Sequence, residues 1–115
     1  MFNFGVVNIN FSLERKKRGY SFSFEDKMIY RDNFPINRQL ELVNHSPLGL
    51  NWGYNGSSSL QSSFAILYDF TKDEEFSLQY YKTYCDEVVS NISQRDYFLK
   101  FSDIQYWIDI KNQED

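Results

Sequence analysis

Phe2, Phe4 and Val6 alternate with small or polar residues, and Val7, Ile9, Phe11 and Leu13 alternate in the opposite phase. Alternation of period two predicts extended chain with one apolar face. The change of phase at residues 5–7 predicts a bulge within one strand, or two short strands. After Arg15-Lys16-Lys17-Arg18-Gly19, Tyr20, Phe22 and Phe24 alternate with serines. The basic run therefore reads as the turn of a β-hairpin. Met28-Ile29-Tyr30 follows the Glu25-Asp26-Lys27 turn as a further short strand. Asn33-Phe34-Pro35 reads as a break, since proline cannot donate to a ladder, and Leu40 to Val43 as another extended piece. The first half is thus expected to form an antiparallel meander of about four strands.

Beyond Ser57 the apolar period lengthens. Leu60, Phe64 and Leu67, with Ile66 and Phe70 beside them, predict a helix from near Ser58 to near Thr71. Ser58 with Gln61 fits a capping box at its start, and Thr71 with Glu74 fits a second. The next helix is expected from Asp73 to Ile92. Phe76, Tyr80, Tyr84, Val88 and Ile92 recur in steps of four, with Tyr81, Cys85 and Val89 alongside. Asp73, Glu74 and Glu75 sit in the first turn, where the helix dipole favours carboxylates. Tyr97, Phe98, Leu99 and Phe101 read as extended. Ser102 with Gln105 opens a short third helix to Ile110, buried through Ile104, Trp107 and Ile108, and residues 111–115 read as a frayed polar tail. The expected fold is α+β, a single domain in which an N-terminal sheet packs against two main helices and a short third.

Between sheet and helices lies Asn44 to Ser59, N-H-S-P-L-G-L-N-W-G-Y-N-G-S-S-S. It holds the chain's one histidine, one of its two tryptophans and three of its five glycines. The glycines predict repeated turns. Together with Leu42 and Val43, with Ala65, Ile66, Leu67 and Asp69 in the next helix, and with Tyr80-Tyr81-Lys82, Glu87-Val88-Val89 and Phe101 to Ile108, this run resembles a family of small bacterial and phage proteins, domain-of-unknown-function family 6166. The resemblance covers residues 20–110, with residues 1–19 as an added N-terminal segment, and it departs at Ser58-Ser59. It implies importance for the central loop and no particular reaction.

Composition narrows the function classes. Aromatic residues reach 19% of 115 residues, so a Phe- and Tyr-rich core is expected. No stretch approaches a membrane span, and the start lacks a basic signal-peptide region, so a cytoplasmic protein is expected. The single cysteine, Cys85, excludes an internal disulfide and reads as a buried small hydrophobe. Seven basic and five acidic residues precede Asp69, against five and eleven from Asp69 onward. The helical half is acidic, which disfavours nucleic acid as a direct partner and leaves room for a basic protein; solubility explains the same charges. The Arg15–Arg18 run reads first as a solvated turn and second as a phosphate contact.

His45 has no nucleophile-elbow partner, and no acidic loop pattern for a metal is present, so neither an enzyme nor a metal or cofactor is expected. His45 is expected to hydrogen-bond within the turn. Two readings of the loop stay open. In one, Trp52 packs in the core and the chain is a protein-binding module whose partner face includes Asp73, Glu74, Glu75 and Glu87. The phage setting implied by the resemblance makes an inhibitor of a host defence system, such as a CRISPR effector, its concrete form. In the other, Trp52 and Tyr54 stack a nucleotide or similar ring and the helix start from Gly56, Ser57 and Ser58 to Ser59 receives its phosphate, with His45 and Asn55 as further ligand- or partner-binding candidates. An uncovered aromatic sheet face would also permit a homodimer.

Overall fold

A computed structural model of the protein describes residues 18–114. The expected strands between Phe2 and Leu13, and the basic turn up to Lys17, lie outside the described residues. The fold is α+β: a four-stranded antiparallel sheet with two main helices and a third, C-terminal one. Strand β1 (Gly19–Ser23) pairs with β2 (Met28–Arg31), and β2 with β3 (Phe34–Pro35). Helix α1 (Ser57–Thr71) and helix α2 (Glu74–Glu87) follow the central loop. A 3-10 turn over Val89–Asn91 then leads to β4 (Tyr97–Lys100) and α3 (Phe101–Glu114). The order across the sheet is β3-β2-β1-β4, so both edges of β1 are occupied.

Several local outcomes differ from expectation for identifiable reasons. Leu40 to Val43 forms a turn, with the amides of Leu42 and Val43 both donating to the Gln39 carbonyl. The fourth strand comes instead from Tyr97–Lys100, the stretch read as extended but not assigned to the sheet. Asn33-Phe34-Pro35 is no break: Asp32 and Asn33 adopt φ of 54° and 72°, and Arg31 pairs with Phe34. Two left-handed residues between paired strands make the tight hairpin turn whose twist suits a sheet. Pro35 is accommodated because β3 is an edge strand.

Helix α1 is the centre of the molecule. Gln61 to Leu67 is buried without interruption, flanked by buried Ser59 and Asp69, so this helix is enclosed on all sides rather than amphipathic. Ser59, Ser62 and Ser63 are small enough to let neighbours approach. The sheet contributes Tyr20, Phe22, Ile29 and Leu99 to the core, and the loop adds Leu50 and Trp52. From α2 come Tyr81, Tyr84 and Cys85, and from α3 Ile104 and Ile108. Asp69 ties α1 to the sheet, accepting from the Tyr20 hydroxyl at 2.6 Å and from Arg31 Nε at 2.7 Å.

Helix α2 is capped by Asp73, whose carboxylate accepts from the Phe76 amide, while Thr71 Oγ1 accepts from the Asp73 amide. It stops at Glu87 rather than Ile92. Ser90 Oγ and Asn91 Nδ2 donate to the last-turn carbonyls of Asp86 and Glu87, closing the helix where its own amides no longer do. Helix α3 continues four residues past Ile110, because Lys111 bridges Glu87 on α2 and Glu114 on its own last turn.

Candidate functional site

The central loop is fastened to α1 by one side chain above all. Gln61, fully buried, accepts from the amides of His45 (2.7 Å) and Ser46 (3.2 Å) through Oε1, and donates through Nε2 to the carbonyls of Arg38 (2.6 Å) and Val43 (3.0 Å). Its full hydrogen-bonding capacity is met. The capping box predicted for Ser58 and Gln61 is therefore not formed. Ser58 Oγ lies 3.0 Å from Ser46 Oγ, and Gly56 caps the helix with its backbone alone. One turn on, Ser62 Oγ accepts from the Asn51 amide and lies within hydrogen-bonding reach of the Asn51 carbonyl, fixing the strand-like run into Trp52.

Trp52 is wholly enclosed. Its indole nitrogen donates to the carbonyls of Ser93 (3.0 Å) and Arg95 (3.2 Å), and the rings of Phe22 and Phe24 stand edge-on to it. The stacking face that the ligand reading gave it is thus used by the core. Gly53 follows with φ of 86°; a Cβ there would meet Gln94 Cγ and the Ile92 carbonyl, so the position requires glycine. His45 Nε2 lies 2.8 Å from the Tyr81 hydroxyl, a phenol that burial raises above its ordinary pKa. The histidine holds the loop to α2, a contact across the fold rather than within the turn, and none of the described hydrogen bonds joins it to a serine.

What faces outward is sparse. Tyr54 is 39% exposed, with its ring laid against Gly56 at the helix start. Ser57 and Asn55 are exposed, and the Asn55 carboxamide donates to Asp86. Leu48, 95% exposed, stands at the tip of the Ser46–Gly49 turn. That turn is braced by Arg38 Nη1 donating to the Pro47 carbonyl at 2.6 Å, Ser46 Oγ donating to the Gly49 carbonyl, and the Leu50 amide donating to the Lys27 carbonyl. A depression of about 240 Å³ beside it is lined by Lys27, Ser46, Leu48, Leu50 and Ser58. The Lys27 ammonium is engaged elsewhere, donating to the Phe24 carbonyl at 2.6 Å and lying 3.3 Å from the Phe24 ring centre.

The four acidic candidates do not share one patch. Asp73, Glu74 and Glu75 surround the start of α2, whereas Glu87 lies at its end, about 20 Å along the axis at the usual helical rise. Glu87 is also internally committed. It accepts from Trp107 Nε1 at 2.9 Å and pairs with Lys111, and these bonds lower its pKa. Cys85 is buried among α1 and α2, and burial raises its thiol, which keeps it in the less reactive protonated form. Among the described residues, no group of three or more His, Cys, Asp or Glu side chains is arranged to hold a metal ion, and no helix is long and apolar enough to cross a membrane.

Two polar centres were missed in the sequence, the Gln61 hub and the Tyr20–Asp69–Arg31 cluster. Asp69 carried a signal: a carboxylate two residues beyond Leu67 on a helix buried all round must find a partner. Burial pushes its carboxyl up, but bonds from Arg31 and Tyr20 and the charge of Lys72 outweigh that and hold it below the usual carboxylate range. A family profile described as a family of unknown function, DUF6166, matches residues 16–110. The chain belongs to this family. No curated protein and no solved structure matches it. The family's matched span begins four residues before Tyr20. It takes in the four described strands, the braced loop, α1, α2 and α3 through Ile110, so hub, cluster and loop all fall within the family's domain.

Proposed function

We propose that this family member is a small non-enzymatic binding protein that acts by covering part of a protein partner's surface. The observation that carries the reading is Leu48. A leucine 95% exposed contributes nothing to the core, yet the backbone beneath it is held by Arg38, Ser46, Lys27 and, through Gln61, by α1. A rigid, protruding apolar side chain loses little freedom when a partner's pocket takes it up, which is how interface anchors gain affinity. The exposed carboxylates at the start of α2 offer a second, charged contact. In the phage and mobile-element setting implied by the resemblance, an inhibitor of a host defence effector, of the kind that blocks a CRISPR complex, is the concrete form.

A small-ligand reading is left with Tyr54 and Ser57 as its outward groups, since Trp52 is enclosed. It predicts a small-mass adduct rather than a protein partner. Native mass spectrometry of the tagged protein recovered from host lysate separates the two. The expected result is a stoichiometric protein partner that is lost in Leu48→Asp and weakened in Glu74→Lys, with both variants folded. Retention of the partner by Leu48→Asp would overturn the anchor. A nucleotide-sized adduct without a protein partner would overturn the reading itself.

A further inference from the structure

Asn55-Gly56 is the chain's one Asn-Gly step. The Tyr54 ring packs closely on the glycine: a Cβ on residue 56 would lie 2.6 Å from Cε2 and 3.0 Å from Cδ2 of that ring. The backbone there is extended, with φ of −162°, so close approach and not conformation favours the glycine. Asn55 is exposed, and its carboxamide lies between two α2 residues, with Nδ2 donating to Asp86 Oδ1 and Oδ1 lying 3.9 Å from Cys85 Sγ. The Gly56 amide, at the N-cap, has no acceptor among the described residues.

We propose that Asn55 is a self-modification site at which the chain deamidates. The backbone nitrogen of Gly56, losing its proton to solvent base, attacks Cγ of Asn55. The bond from Cγ to Nδ2 breaks and ammonia leaves, giving a cyclic imide. Water then adds across one of the two imide C–N bonds, and the product is aspartate or, with the chain rerouted through the side chain, isoaspartate. Water is the only co-reactant. Glycine permits the attack because it has no side chain to obstruct the approaching nitrogen. The other asparagines precede Phe, Ile, Arg, His, Trp or Gln, which do obstruct it.

The consequence follows from what Asn55 touches. A carboxamide donating to Asp86 becomes a carboxylate facing a carboxylate, so the tie between the loop and α2 turns repulsive. Isoaspartate also lengthens the backbone immediately before α1. Either product loosens the segment from Tyr54 to Ser57 and adds a negative charge there. This inference is independent of the partner-binding reading.

The test uses the purified full chain, incubated at mildly alkaline pH and mapped by peptide mass spectrometry. The expected result is an amide-to-acid mass gain at Asn55 before any other asparagine, as a mixture of aspartate and isoaspartate, at a rate that rises with pH. Asn55→Gln should abolish the gain in that peptide. Asp86→Ala, which frees the carboxamide to turn toward Gly56, should speed the reaction severalfold, and Asn55→Asp should melt at a lower temperature than the parent. Conversion of another asparagine first, or an Asn55 that persists in the folded chain while the denatured chain converts, would overturn the proposal.

Discussion

Gln61 is fully buried and bonds four backbone groups through one side chain. It was expected to close a capping box with Ser58, and its amide instead replaces water for four backbone groups in and just before the loop. Replacing it with leucine preserves volume but strands those groups, and a loss of about 2–4 kcal/mol is expected from denaturant unfolding. Gln61→Glu is the sharper test. A carboxylate facing the Arg38 and Val43 carbonyls is disfavoured, so the folded-state pKa rises above the unfolded value of about 4.3. The variant should therefore be more stable at acidic than at neutral pH, opposite to a surface glutamate. Residue chemistry was legible here in part: a glutamine three residues after a serine suggests a cap, and the amide was assigned to the helix that carries it. Nothing local reveals that the acceptors and donors lie 15 to 23 residues upstream.

At the scale of elements, two polar clasps join what apolar packing brings together. Asp69 clasps α1 to β1 and β2. Asp69→Asn leaves Arg31 without its charge partner, at a cost of about 2–3 kcal/mol, moderated because Arg31 is partly solvated. Since the Asp69 pKa is depressed in the fold, its contribution is full above the unfolded value of about 3.9 and is lost as pH falls through the folded one. The parent should lose stability in that acidic window, and the Asn variant should show a flatter profile there. Glu87 clasps α2 to α3 through Trp107 and Lys111. Glu87→Lys should therefore lower the melting temperature measurably, whereas Glu74→Lys, exposed in the first turn of α2, should cost under about 1 kcal/mol. Charge reversal at Glu87 consequently reports on the fold, and reversal at Glu74 on a partner.

For the whole molecule, the position of the two prominent loop side chains sets how function can be tested. Trp52→Ala removes a fully enclosed ring from the junction of sheet, loop and 3-10 turn, and a loss of about 3–5 kcal/mol is expected. Leu48→Asp should change stability by less than about 0.5 kcal/mol, because no described contact depends on it. Thermal melts of the two variants side by side check this contrast. If Leu48→Asp also unfolds, the tip is structural and the anchor reading fails. Acidic residues of the second half sit at both ends of α2 and on α3, so the net charge alone does not mark an interface.

Local pattern by itself determined the α+β class, the placing of β1 and β2 ahead of the helices, the starts of α1 and α2 to within a residue or two, and the burial of Cys85. These depend on period and apolar content, both written within a few residues of each other. Tertiary structure alone decided that Tyr97–Lys100 completes the sheet, that α1 is enclosed on every side, that Trp52 belongs to the core and that Gln61 holds the loop. Each of those rests on partners tens of residues apart in the chain. Strand pairing and buried amide bonds are chosen by which distant groups compaction brings into reach, and a one-dimensional pattern records the groups without recording their meeting.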